Sequence, residues 1–132
     1  MKTILFADDN RHIREFCKRD LEEEGYRVML ARDGLEVIRI FREQSPDLVI
    51  LDICMPTGGG LETIERLRAI DSEIPVIFFT AFDEDCLKDW RGRLATGCVE
   101  KTENLAELKL AILRIFTSQP RKQPLRLGLP PN

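Results

Sequence analysis

Short apolar runs alternate along this chain with longer stretches in which apolar positions recur every three or four residues. That pattern predicts strands and helices in turn. The clearest runs are Thr3-Ile4-Leu5-Phe6-Ala7, Leu48-Val49-Ile50-Leu51 and Val76-Ile77-Phe78-Phe79-Thr80. A run apolar on both faces belongs in a sheet covered on both sides, which favours parallel strands. Val28 and Leu30, alternating with Arg27, Met29 and Ala31, predict a less buried strand, and residues 97–100 a short fifth one ending at Lys101. Between the strands come helical stripes: Ile13, Phe16, Cys17 and Leu21 behind an Asn10 cap and stopped by Gly25; Leu35, Ile38 and Phe41 after Asp33-Gly34; Leu61, Ile64, Leu67 and Ile70 after Gly58-Gly59-Gly60; Leu105, Leu108, Ile112 and Ile115 after Asn104. Phe82, Cys86, Trp90 and Leu94 outline a further helix, the fourth in order, weakened by Gly92. Five parallel strands with five helices and right-handed crossovers make an α/β, doubly wound three-layer sandwich.

Composition narrows this without redirecting it. At 132 residues the chain is one domain with room for a hydrophobic core. A net charge of -3 argues against direct nucleic-acid binding by the domain. Charge is uneven, because Arg121, Lys122 and Arg126 stand in a Pro-rich stretch without acids. Residues 1–117 are therefore read as the domain and 118–132 as a flexible basic tail or linker. There is no signal pattern and no apolar run of membrane-spanning length, so a cytoplasmic protein without membrane contact is expected. Cys17, Cys54, Cys86 and Cys98 lack any CxxC spacing. Reduced, unpaired thiols are the simplest expectation for them.

The chemistry lies where strands end. Parallel strands put their carboxyl ends on one edge, where open α/β sheets bind ligands. Asp8, Asp9, Asp52, Thr80 and Lys101 all follow or close a strand and should converge there. Carboxylates crowded together call for a hard, oxygen-seeking cation such as Mg²⁺, whereas zinc would want His or Cys at defined spacing. A cation, a carboxylate nucleophile, a lysine and a hydroxyl together suit phosphoryl transfer to Asp52. The glycines at 58–60 lack the Lys-Ser/Thr of a P-loop and predict a flexible loop instead. His12, at the start of a surface helix, is read as solvated, and Trp90 as core or partial surface.

Ala7-Asp8-Asp9-Asn10, Leu51-Asp52-Ile53-Cys54-Met55-Pro56 with Gly60 beyond, Thr80-Ala81 and Lys101 together resemble the receiver domain of two-component response regulators, over residues 1 to about 117. The resemblance implies strand order 2-1-3-4-5 and Asp52 as phosphoacceptor. It implies Mg²⁺ held by Asp9, Asp52 and the Cys54 carbonyl, with Asp8 acting mainly through water. Thr80 and Lys101 would meet the phosphoryl group. The implied partners are a sensor histidine kinase or a histidine phosphotransfer protein, and a downstream target not identifiable from the sequence. A homodimer through the face of the fourth helix, fifth strand and fifth helix is also implied. The domain would be a switch that phosphorylates and dephosphorylates itself, not an enzyme with a turnover substrate.

Alternatives are a phosphorylation-independent pseudo-receiver, the receiver part of a longer, for example DNA-binding, regulator, and an Asp-nucleophile phosphatase of the haloacid dehalogenase type. The last wants a second acid two residues after the nucleophile, where Cys54 stands. Two departures from the family pattern stand out. Lys101 is followed by Thr102 and not proline, which predicts a trans bond there. Cys98 occupies the place of an aromatic, which moves the expected output to displacement of residues 83–95. Cys54 and Phe82, poor at orienting water, predict a long-lived aspartyl phosphate.

Overall fold

The computed structural model describes residues 1–81 and 88–118. Strands β1 (Thr3–Ala7), β2 (Arg27–Ala31), β3 (Leu48–Leu51), β4 (Val76–Thr80) and β5 (Gly97–Glu100) form one parallel sheet in the order β2-β1-β3-β4-β5. The doubly wound α/β fold and strand order expected from the sequence are those observed. The described helices are α1 (Arg11–Glu23), α2 (Gly34–Gln44), α3 (Gly60–Ile70) and α4 (Ala106–Ser118), with a 3₁₀ turn at Trp90–Leu94.

Period-two alternation divides the core between the two faces of the sheet. Leu5, Ala7, Val49 and Leu51 pack with Val37 and Phe41 of α2 and with Ile64 and Leu67 of α3. Ile4, Phe6, Leu48 and Ile50 face the other way, onto Cys17 and Leu21 of α1 and Leu108 and Ile112 of α4. All of β3 and β4 is buried, as runs without polar alternation require.

Local signals set the helix ends. Asn10 accepts the Ile13 N–H at 3.0 Å. Gly25, at φ +99°, closes α1: its N–H reaches the Glu22 carbonyl and that of Tyr26 reaches Leu21, the paired bonds of a left-handed C-terminal cap. Asp33 caps α2 through Glu36 N–H at 2.9 Å.

Several sequence expectations fail in informative ways. Leu35 is 53% exposed and Phe16 47%. In α2 the buried pair is Val37 and Phe41, four apart; a stripe of threes through Leu35 drifts off a helix face of 3.6 residues per turn. The expected fourth helix falls partly on Phe82 and Cys86, outside the described residues. Within the described part, Trp90–Leu94 is a 3₁₀ turn, so residues four apart no longer share a face. Trp90 is 57% exposed while Leu94 packs on the core. The turn is held by the Arg68 guanidinium, which donates to the carbonyls of Leu94 at 3.0 Å and Ile74 at 2.6 Å.

Cys17 and Cys54 are free thiols, but Cys98 is disulfide-bonded, so the expectation of unpaired cysteines throughout does not hold. Burial, followed by the Asp8 charge, pushes the Cys17 thiol up to about 12, whereas Cys54 is exposed. Iodoacetamide at pH 8 should therefore alkylate Cys54 in the native protein and reach Cys17 only after unfolding. Peptide mass mapping before and after denaturant checks this; native labelling of Cys17 would contradict the packing of α1.

Candidate functional site

The sheet ladder itself delivers the site. Past the strand ends it continues with Asp8 N–H to the Ala31 carbonyl at 3.1 Å, Asp52 N–H to Ala7 at 3.0 Å and Lys101 N–H to Thr80 at 2.7 Å. These bonds fix the backbone of both acids and of the lysine on one edge. Asp8 is 1% and Asp52 7% exposed, while Asp9 faces solvent. Carboxylate oxygens of Asp8, Asp9 and Asp52 all lie within 4.8 Å of one another. Thr80 is buried at the end of β4, beside the Lys101 backbone.

Lys101 crosses the crevice. Its ammonium lies 2.6 Å from Asp8 Oδ2 and 3.0 Å from Asp52 Oδ2, with the Phe79 ring 6.0 Å away. The sequence places a lysine opposite the acids; the structure shows it joined to two of them. The remaining oxygens are also engaged. Asn10 N–H donates to Asp8 Oδ1 at 2.9 Å, and Cys54 N–H to Asp52 Oδ1 at 3.3 Å. Arg14 Nη1 donates to the Asp8 carbonyl at 2.9 Å, stiffening the acid pair from α1. Arg14 was not legible in the sequence, being one of several basic residues on a charged helix. No peptide bond among the described residues is cis, so Lys101–Thr102 is trans, as expected.

The electrostatics are unbalanced. Two carboxylates within 4.8 Å of one another repel by at least about 3.5 kcal/mol at an effective dielectric of about 20. Lys101 offsets one charge of three. Burial raises the Asp52 carboxyl above its usual range, and the Lys101 ammonium and Cys54 N–H oppose this without prevailing. For Lys101, burial favours the neutral amine, but bonds to Asp8 and Asp52 win and hold the ammonium above its ordinary value. A site with excess negative charge, hard oxygen donors and one exposed acid fits a divalent cation such as Mg²⁺.

Fold and site define a class: a doubly wound α/β domain with an acidic, lysine-bridged crevice at the carboxyl edge of its sheet. The chain belongs to the response regulator receiver domain family, whose model matches residues 4–113. It is thus a receiver domain of the two-component type, a signalling module. It is 41% identical over 80 residues to the response regulator MprA of Mycobacterium sp. (strain KMS), covering 61% of this chain and 35% of that protein. The chain therefore spans about a third of the length of the curated relatives it matches. Among solved structures it resembles the response regulator TrrA of Thermotoga maritima in complex with Mg²⁺-BeF, with TM-score 0.83, 37% identity, and coverage of 87% of this chain and 99% of that one. TrrA in complex with the histidine kinase ThkA aligns with TM-score 0.81 and the same identity, over 87% of this chain and 98% of that one. Among the described residues no helix is long and apolar enough to cross a membrane.

Of the residues singled out by sequence, Lys101 bonds Asp8 and Asp52 directly, and Asp9 brings a carboxylate oxygen within 4.8 Å of theirs. Thr80 joins through the Lys101 backbone, and Cys54 through its amide to Asp52. Phe82 lies outside the described residues.

Proposed function

We propose that Asp52 accepts a phosphoryl group from the phosphohistidine of a sensor kinase or a histidine phosphotransfer protein. One observation carries this: of the two acids bonded to Lys101, Asp52 follows the central strand of the sheet and is the more open, 7% exposed against 1% for Asp8. An Asp52 oxygen attacks phosphorus, the phosphorus–nitrogen bond breaks, and the imidazole departs with its electron pair. Later attack by water on phosphorus returns the carboxylate and releases inorganic phosphate.

Asp9, Asp52 and the Cys54 carbonyl would hold Mg²⁺, with Asp8 acting through water. When bound, the ion would neutralise charge on the transferring phosphoryl oxygens. Lys101, already within 3.0 Å of Asp52, would shift its bond from carboxylate to phosphoryl oxygen, and the Thr80 hydroxyl would receive another. The domain is proposed to act as a cytoplasmic switch over residues 1–117, with no metabolic substrate turned over. Its partner face is proposed to include α4, where Leu110 and Leu113 are exposed; this also supports homodimerisation there.

The pseudo-receiver reading is disfavoured by the intact acids and lysine, and the phosphatase reading by an exposed Cys54 where a second acid would stand. Incubation with acetyl phosphate should add one phosphoryl group by intact mass with Mg²⁺ present and none with EDTA. Uptake indifferent to the cation would contradict the metal assignment. Without an acid at position 54 to orient water, the adduct should persist longer after an exchange into EDTA-free buffer than in a Cys54→Glu variant; equal decay would show that this position does not control hydrolysis.

A further inference from the structure

The three glycines after Met55-Pro56-Thr57 read as a flexible loop in the sequence, yet in the fold this loop is clamped. Gly60 N–H donates to the Ile53 carbonyl at 2.8 Å. A Cβ on Gly59 would stand 2.7 Å from that same oxygen, and one on Gly60 2.5 Å from the Asp52 carbonyl. Gly59 and Gly60 thus lie directly against the Asp52–Ile53 backbone, one peptide before Cys54. Thr57 and Gly58 take left-handed conformations, φ +52° and +86°. A non-glycine residue there is strained and persists only where its surroundings over-determine it.

Two residues from separate helices supply that constraint. Thr63 of α3, 1% exposed, donates its hydroxyl to the carbonyls of Gly59 at 2.8 Å and Gly58 at 3.4 Å. Gly34, the first residue of α2, closes over the same place. A Cβ at Gly34 would collide with Thr63 Oγ1 and stand 2.6 Å from the Gly58 carbonyl and 3.2 Å from that of Thr57. Only a bare α-carbon lets α2 approach this closely.

We propose that Gly34 and Thr63 are positioning residues for the cation site: they brace the β3–α3 loop, and through the Gly60–Ile53 bond they fix the direction of the Cys54 carbonyl. The inference rests on the reading of Asp9, Asp52 and the Cys54 carbonyl as the Mg²⁺ ligands. A loop of three glycines left free would have to be ordered on each binding event. The brace orders it in advance.

The test is a Mg²⁺ titration of the full chain followed by the backbone amide signals of Asp9 and Cys54. Thr63→Val, which loses the hydroxyl at nearly constant volume, should weaken Mg²⁺ binding by about tenfold, as supporting partners of metal ligands do. Thr63→Ser, which keeps the hydroxyl, should stay within about twofold of the parent. Gly34→Ala should weaken binding like the valine variant, and the labelling rate from acetyl phosphate should recover to within about twofold at saturating Mg²⁺. Folded Thr63→Val binding as tightly as the parent would overturn the brace, as would serine and valine variants equally weakened. The Thr63 pair decides the matter even if Gly34→Ala does not fold. A parent chain showing no Mg²⁺-dependent shifts would instead overturn the cation site itself, and the brace's role with it.

Discussion

Replacing Asp52 by Asn should abolish phosphoryl uptake and at the same time raise the stability of the metal-free protein. The first effect is all-or-none, because the amide oxygen is not a nucleophile at this centre; labelling that persists would place the acceptor elsewhere. The second follows from linkage. Burial raises the Asp52 carboxyl above its unfolded value, so the folded state holds that proton more tightly than the unfolded chain does. The resulting stabilisation is present below the unfolded pKa and is lost as pH rises through the folded one. At neutral pH the ionised group is a net cost, and the neutral Asn removes it. Thermal melts in EDTA should show the variant above the parent at pH 7, with the gap closing toward pH 4. Addition of Mg²⁺ should raise the parent more than the variant. A variant less stable than the parent in EDTA at pH 7 would mean that the bond to Lys101 outweighs the burial of Asp52.

Lys101→Met should have the opposite sign. The ammonium is the single cation bonded to the buried carboxylates of Asp8 and Asp52 among the described residues. Removing one partner of a fully buried ion pair costs about 3–5 kcal/mol. Lys101 retains 19% side-chain exposure, and the crevice opens to water, so a loss on the order of 2 kcal/mol is expected. Urea unfolding in EDTA measures it. Mg²⁺ should restore part of the loss by taking over charge neutralisation, while phosphoryl uptake stays slow because the phosphoryl oxygen lacks its lysine. An unchanged midpoint in EDTA would show that water screens the acids without Lys101.

These opposed effects come from contacts that the sequence only half discloses. Strands were legible because β1, β3 and β4 are continuous apolar runs that close in Asp8, Asp52 and Thr80, and parallel geometry then brings those ends to one edge. Caps were legible because Asn10, Gly25 and Asp33 act on backbone groups a few residues away. Legibility failed where tertiary packing chooses among near-equivalent patterns. Leu35 and Val37 are both apolar and two apart, and only the packing of α2 on the sheet and α3 decides that Val37 goes inside. Trp90 and Leu94 look like one helical face until the 3₁₀ turn separates them. The Gly34–Thr63 contact joins residues 29 apart on different helices, beyond any local pattern.

The receiver family explains the acids, the lysine and the sheet order, while the brace over the β3–α3 loop and the tether of the Trp90–Leu94 turn by Arg68 are read from the contacts of this chain. That tether bears on output. Displacement within residues 83–95, expected from the sequence, would have to break or carry along the Arg68 bonds to Leu94 and Ile74. Hydrogen exchange with and without a phosphoryl mimic should therefore change more before residue 90 than within 90–94; the reverse order would mean that the 3₁₀ turn itself is the moving part.

The most direct measurement locates the acceptor. After labelling with acetyl phosphate and Mg²⁺, borohydride reduces an aspartyl phosphate to homoserine, and peptide mass mapping reads its position. Homoserine at residue 52 alone is the predicted result. Homoserine at Asp8 or Asp9, or phosphate retained on another side chain such as His12, would contradict the account.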